Sequence, residues 1–182
     1  MDSEKRANLQ SQAMKAANDE NSSGARDRAE VVRSSDLLSE AETNILKNAT
    51  VLVAEDNAIN QIAAEGMLED LGVRVFCAPD GARAVEAVLA GGVDLVLMDC
   101  QMPVMDGFEA TRAIRESERG SGRRLPIVAM TAAAARGDRE RCVAAGMDDH
   151  LSKPIQPDEL RRVILERLGA RPRTGTDPST AG

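Results

Sequence analysis

Apolar residues in this chain fall in short blocks, and from residue 50 onward the blocks alternate between two kinds. The first kind is brief and continuous: TVLVA at 50–54, VRVFC at 73–77, VDLVLM at 93–98, PIVAM at 126–130 and, weakest, DHLS at 149–152. Runs this short, rich in Val, Leu, Ile and Met, predict strands, and the most apolar of them predict strands buried on both faces. The second kind is periodic. Residues 58–71 carry Ile59, Ile62, Ala63, Met67 and Leu71 at helical spacing. Residues 80–90 offer Ala84, Val85, Val88 and Leu89 as a buried stripe, and 106–119 turn Phe108, Thr111 and Ile114 inward. Residues 136–145 form a more polar helix and 157–168 a last one.

The punctuation agrees with this division. Asn57 and Asp80 suit N-caps, while Gly72, Gly146 and Gly169 suit positions just past helix ends. Pro157 fits a first helical turn, followed by Asp158 and Glu159 at its positive end. Five strands alternating with five helices predict an α/β fold, a doubly wound parallel sheet covered on both faces. Its compact domain spans 50–169.

The flanks differ in character. Residues 1–49 are polar and predict a flexible N-terminal extension or linker. Residues 5–17 have helix-forming composition without an apolar face, and NDENSSG at 18–24 breaks it. A weak helical signal at 35–47, with Leu37, Leu38, Ile45 and Leu46, either docks on the domain or continues a helix from an upstream neighbour. Residues 170–182 predict a disordered tail.

Composition narrows the function. Hydrophobic residues make up 42% of the chain but aromatics only 1%, so the core is aliphatic. A net charge of −7 argues against a nucleic-acid partner, which demands basic patches. No apolar run approaches the ~18 residues of a membrane span, and the polar start predicts no secretory signal, so a cytoplasmic location without direct membrane contact is expected. Cys77, Cys100 and Cys142 have no metal-binding spacing. They are expected as small core or sub-surface hydrophobes in a reducing compartment.

Chemistry concentrates at the carboxyl ends of the strands, where open parallel sheets bind ligands. Glu55 and Asp56 follow the first strand, Asp99 the third, Thr131 the fourth and Lys153 the fifth. Near a surface, each pair of carboxylates at about 4 Å costs on the order of 4 kcal/mol. A hard divalent cation such as Mg2+ offsets that, and Lys153 adds positive charge. Asp99 is then expected as an exposed, ionised nucleophile beside a hydroxyl and an ammonium, a set suited to phosphoryl transfer.

Four motifs, VLVAEDNAINQ at 51–61, LVLMDCQMPVMDGFEAT at 95–111, PIVAMTA at 126–132 and GMDDHLSKPI at 146–155, resemble the receiver domain of two-component response regulators. The resemblance is strongest to the receivers of hybrid sensor histidine kinases. It implies a flavodoxin-like strand order 2-1-3-4-5 and Asp99 as phosphoacceptor. It implies Mg2+ held by Glu55, Asp56, Asp99 and the backbone carbonyl of Gln101. Thr131 would donate its hydroxyl to the phosphoryl group, Lys153 would pair with its oxygens, and the Lys153–Pro154 peptide would be cis. The phosphodonor would be a histidine kinase or a histidine phosphotransfer protein; the downstream protein partner is not implied.

Other positions acquire readings from the same resemblance. Asn57, Asn60 and the exposed side of the first helix match a partner-docking surface, with capping and solvation as the plainer account. Gln101 and Ala133 flank the path of an attacking water. His150 stands where the family has Tyr or Phe; it either packs as a partly exposed substitute or makes a weaker, pH-sensitive switch. Met98, Met102, Met105 and Met147 read as core and loop filler, and Met102, Pro103, Asp106 and Gly107 as shaping the loop after Asp99.

Two other functions compete. A Mg2+-dependent aspartyl-phosphate phosphohydrolase would place a second Asp two residues after the nucleophile, where this chain has Gln101. A phosphate-independent interaction module would not need all five polar residues. A stand-alone receiver and the receiver end of a hybrid kinase both fit the chain.

Overall fold

The structure, a computed structural model, describes residues 38–132 and 136–169, the side chains of 136–138 apart. The readings made for 5–17, 18–24, Ala133 and 170–182 lie outside the described residues. Five strands, β1 (Thr50–Ala54), β2 (Arg74–Ala78), β3 (Leu95–Asp99), β4 (Ile127–Thr131) and β5 (Asp149–Ser152), form one parallel sheet in the order β2-β1-β3-β4-β5. Among the described residues there are six helices: α1 (Glu40–Lys47), α2 (Ala58–Asp70), α3 (Gly81–Ala90), α4 (Gly107–Ser117), α5 (Arg136–Ala145) and α6 (Pro157–Gly169).

The three middle strands are buried at every residue. This follows from their near-continuous apolar sequence and from helices on both faces. Leu52, Ala54, Val96, Met98, Ile127 and Ala129 share one core cluster with Ala84, Phe108 and Ile114 of α3 and α4. By the two-residue period of a strand, Val51, Val53, Leu95, Leu97, Val128 and Met130 face the opposite layer, and all are buried there. α2 packs on β1 and β2 in the structure, and α6 on β3 and β5.

Four expectations are corrected. The sixth helix, α1, comes from the weak signal at 35–47: it packs against α6 with Leu46 fully buried. In α2 the phase is different from the one read. Ile59 and Ile62 are exposed, 78% and 67%, whereas Ala64 and Leu68 are buried. This helix is apolar around much of its circumference, so spacing alone did not identify the side that meets the sheet. In α3, Leu89 faces solvent while Gly81 and Ala84 are buried. Cys77 is exposed because β2 is an edge strand, with Phe76 also 58% exposed.

Candidate functional site

The carboxyl edge of the sheet gathers the polar residues that follow the strands. Glu55, directly after β1, is 2% exposed. Its Oε1 accepts a hydrogen bond from Asn60 Nδ2 at 3.0 Å and a longer one from the Asn57 N–H at 3.4 Å. Asn57 is also the N-cap of α2, its Oδ1 accepting from the Ile59 and Asn60 N–H groups. One short segment therefore starts the helix and aims the carboxylate. Asp56 is exposed.

Asp99 ends β3. Its Oδ1 accepts the Gln101 N–H at 3.1 Å, and its Oδ2 lies 2.6 Å from Lys153 Nζ. The same ammonium is 2.6 Å from Glu55 Oε2. Lys153 is positioned by the sheet: its N–H donates to the Thr131 carbonyl at 2.8 Å, and the Lys153–Pro154 peptide is cis. Thr131, the last residue of β4, is buried and lines one cavity with Asp99, Lys153, Phe108 and Arg141. An adjoining cavity is lined by Asp56 and Gln101.

The loop behind Asp99 is shaped by three local constraints. α4 starts on a capping box, with Asp106 accepting the Glu109 N–H at 2.7 Å and Glu109 accepting the Asp106 N–H at 3.2 Å. Gly107, its first residue, lies against the end of β3 so closely that a Cβ there would collide with the carbonyl oxygen of Asp99. Val104, at the loop's tip, has φ of 69°, a left-handed conformation that β-branched residues rarely adopt.

Asp99 is not the exposed carboxylate expected from its strand-end position. It is 6% exposed, and burial raises its pKa from the ordinary carboxylate value. Lys153 and the Gln101 N–H offset only part of that, and the neighbouring charge of Glu55 adds to it. Burial acts against the Lys153 charge too, but its hydrogen bonds to Asp99 and Glu55 outweigh this and raise its pKa. Carboxylate oxygens of Glu55, Asp56 and Asp99 all lie within 4.8 Å of one another. Three negative charges thus share a site with one ammonium, and every donor is oxygen. Such a set fits a hard divalent cation and not a thiolate- or imidazole-binding metal.

Sequence reasoning brought together Glu55, Asp56, Asp99, Gln101, Thr131 and Lys153, and the structure places all six at this edge. His150 stands apart: it pairs with Ala129 in the sheet, its side chain is 34% exposed, and it lines a different cavity with Arg167. Arg141 was missed. Its guanidinium carbon lies 4.3 Å from the centroid of the Phe108 ring, a cation–π contact beside the Asp99 cavity. Nothing local in the sequence signals that contact, because it joins α5 to α4. Asn60 was read only at the surface, yet it orients Glu55.

Residues 51–165 match the model of the response regulator receiver domain. The chain is 46% identical over 121 residues to the sensor protein GacS of Pseudomonas syringae pv. syringae, covering 65% of this chain and 13% of that protein. The chain therefore spans a small fraction of that relative's length. Among solved structures it resembles the receiver domain of a Pseudomonas aeruginosa sensor histidine kinase with a magnesium ion coordinated in its active-site cleft. The TM-score is 0.63 at 46% identity, covering 68% of this chain and 99% of that one. It also resembles a chain of the Saccharomyces cerevisiae co-crystal of a histidine phosphotransfer signaling protein with the receiver domain of its downstream response regulator. There the TM-score is 0.61 at 35% identity, with 65% and 88% covered.

Proposed function

The chain belongs to the response regulator receiver domain family, and on that footing we propose that it accepts a phosphoryl group on Asp99 and thereby switches protein contacts in a phosphorelay. The observation that carries the reading is the Asp99 carboxylate, held between the Gln101 N–H and the Lys153 ammonium, within 4.8 Å of two further carboxylates. Asp99 attacks the phosphorus of a phosphohistidine, from a histidine kinase or a histidine phosphotransfer protein. Its O–P bond forms as the N–P bond breaks. Lys153 moves its charge toward the incoming phosphoryl oxygens, and Thr131 donates its hydroxyl to them. Glu55, Asp56, Asp99 and the backbone carbonyl of Gln101 would hold Mg2+, which supplies neutralising charge for the phosphoryl oxygens when bound.

The receiver unit is 50–169, between an N-terminal extension, 1–49, from which α1 packs on it, and a C-terminal tail, 170–182. It catalyses only its own phosphorylation and dephosphorylation, in the cytoplasm. Gln101 replaces the acid that a phosphohydrolase would use there. Exposed Ile59 and Ile62 on α2 supply an apolar face for the phosphodonor, while Asn57 and Asn60 serve the capping and the aiming of Glu55. His150, partly exposed on β5, substitutes for the family's aromatic switch residue.

The test is intact mass after incubation with Mg2+ and acetyl phosphate, beside Asp99→Asn. One labile phosphoryl adduct on the parent, absent from Asp99→Asn and absent without Mg2+, is the expected result. No adduct from acetyl phosphate or from a panel of phosphorylated phosphotransfer proteins would leave a phosphate-independent interaction module.

A further inference from the structure

Cys100 and Cys142 lie 42 residues apart in sequence, yet their sulfurs are 3.9 Å apart inside the protein. Cys100 directly follows Asp99 and lines its cavity. Cys142 sits on α5 and lines a different cavity, with His150 and Arg167. Both cysteines are buried, 6% and 4% exposed, out of reach of another protein, and each lines a cavity by which a small oxidant can approach. Cys77, exposed on the edge strand β2, belongs to neither cavity.

We propose that Cys100 and Cys142 form an oxidation site, closing to a reversible intramolecular disulfide when a hydroperoxide reaches the protein. Hydrogen peroxide transfers one oxygen to the Cys142 sulfur, giving a sulfenic acid and one water. The Cys100 sulfur then displaces the hydroxyl, its proton leaving with that hydroxyl as a second water. Two thiols are oxidised by two electrons and the peroxide is reduced. In a reducing compartment the resting form is the dithiol, and the bond is transient.

The bond has a consequence for the neighbouring site. Cys100 N–H donates to the Met130 carbonyl at 3.2 Å, and its own carbonyl accepts the Gly107 N–H at 3.4 Å. It thus lies between the end of β4 and the start of α4. Tying it to α5 joins the loop behind Asp99 to the helix that follows Thr131 in the chain. Phosphoryl acceptance requires that loop and Thr131 to move around the new group; this part rests on the receiver reading above. The disulfide therefore restrains phosphorylation of Asp99.

The experiment uses the full chain with Cys77→Ser, reduced or treated with hydrogen peroxide. The expected product is a monomer lighter by two hydrogens, with Cys100 and Cys142 peptides linked and released by dithiothreitol. Cys142→Ala gives no link; should it fail to fold, Cys142→Val fills the same buried space. Acetyl phosphate should label the oxidised protein about tenfold more slowly than the reduced one, as when a constraint leaves a tenth of the competent population, and peroxide should not slow Cys142→Ala. Oxygen addition without a link overturns the proposal, as does a link that leaves labelling unchanged. A reduced protein that takes no phosphoryl group refutes the receiver reading instead, and the link alone then decides whether the pair is an oxidation site.

Discussion

The Lys153 ammonium lies 2.6 Å from Asp99 Oδ2 and 2.6 Å from Glu55 Oε2, bridging two of the three clustered carboxylates. It is the positive charge that lets Glu55, 2% exposed, and Asp99 stay close together.

Lys153→Met removes that charge and leaves two buried carboxylates facing each other. Loss of one partner from a buried pair costs about 3 kcal/mol. The metal-free variant should show a urea midpoint lowered accordingly, and millimolar Mg2+ should recover part of the loss by binding the folded state. Equal midpoints for parent and variant without Mg2+ would mean that the ammonium does not offset the repulsion.

Gly107 has no room for a side chain. Gly107→Ala drives a Cβ into the Asp99 carbonyl oxygen, a backbone atom that moves only with the end of β3. Overpacking of this kind costs roughly 1–3 kcal/mol. Denaturant unfolding should register the loss, and acetyl phosphate labelling should slow, because the displaced strand end carries the nucleophile. A stable variant labelled at the parental rate would contradict the contact.

Val104 offers the opposite sign. Its left-handed φ of 69° costs about 1–2 kcal/mol for a residue with a Cβ, and 88% of the residue is exposed, so little packing compensates. Glycine removes that strain but adds about 0.4–1 kcal/mol of unfolded-chain entropy. Val104→Gly should therefore be stabilised by about 0.5 kcal/mol in urea. Destabilisation would show that the valine makes contacts that outweigh its strain.

Asp149 sets a pH dependence. Burial raises its pKa, but hydrogen bonds from Arg167 at 2.6 and 3.1 Å, the His150 N–H and the nearby positive charge outweigh it and hold the pKa below the ordinary value. A depressed folded pKa gives stability that is complete above the unfolded value of about 3.9 and is lost as pH falls through the folded one. Because the Arg167 side chain is 36% exposed, solvent screening limits the pair to about 0.5–1 kcal/mol. Urea midpoints of the parent and Arg167→Gln should differ at pH 7 and converge below about pH 4. A gap that persists in acid would assign the effect to packing.

Much of the active edge was legible because each of its parts is a local event. A strand of TVLVA must end near residue 55, and one of LVLM near 99, so the residues that follow are delivered to one edge by any right-handed βα fold. Caps at Asn57 and Asp80 are local too, since each side chain bonds a backbone N–H two or three residues on. The burial of Asp99 was not legible. It depends on Lys153 and on the turn at Gly107, and neither is encoded in the strand itself.

By itself the sequence determined the element order, the parallel sheet and the identity of the residues at its edge, because hydrophobic period, caps and turns act over a few residues. Tertiary structure alone decided which side of α2 faces out, where α1 docks, and the meeting of Cys100 with Cys142. It also decided that the Arg115 side chain, 13% exposed, joins α4 to Leu125 in the segment before β4 and to Gly146 and Asp148 in the turn before β5. These depend on shape and charge arriving from distant parts of the chain, and only the packed core brings them within a few ångströms.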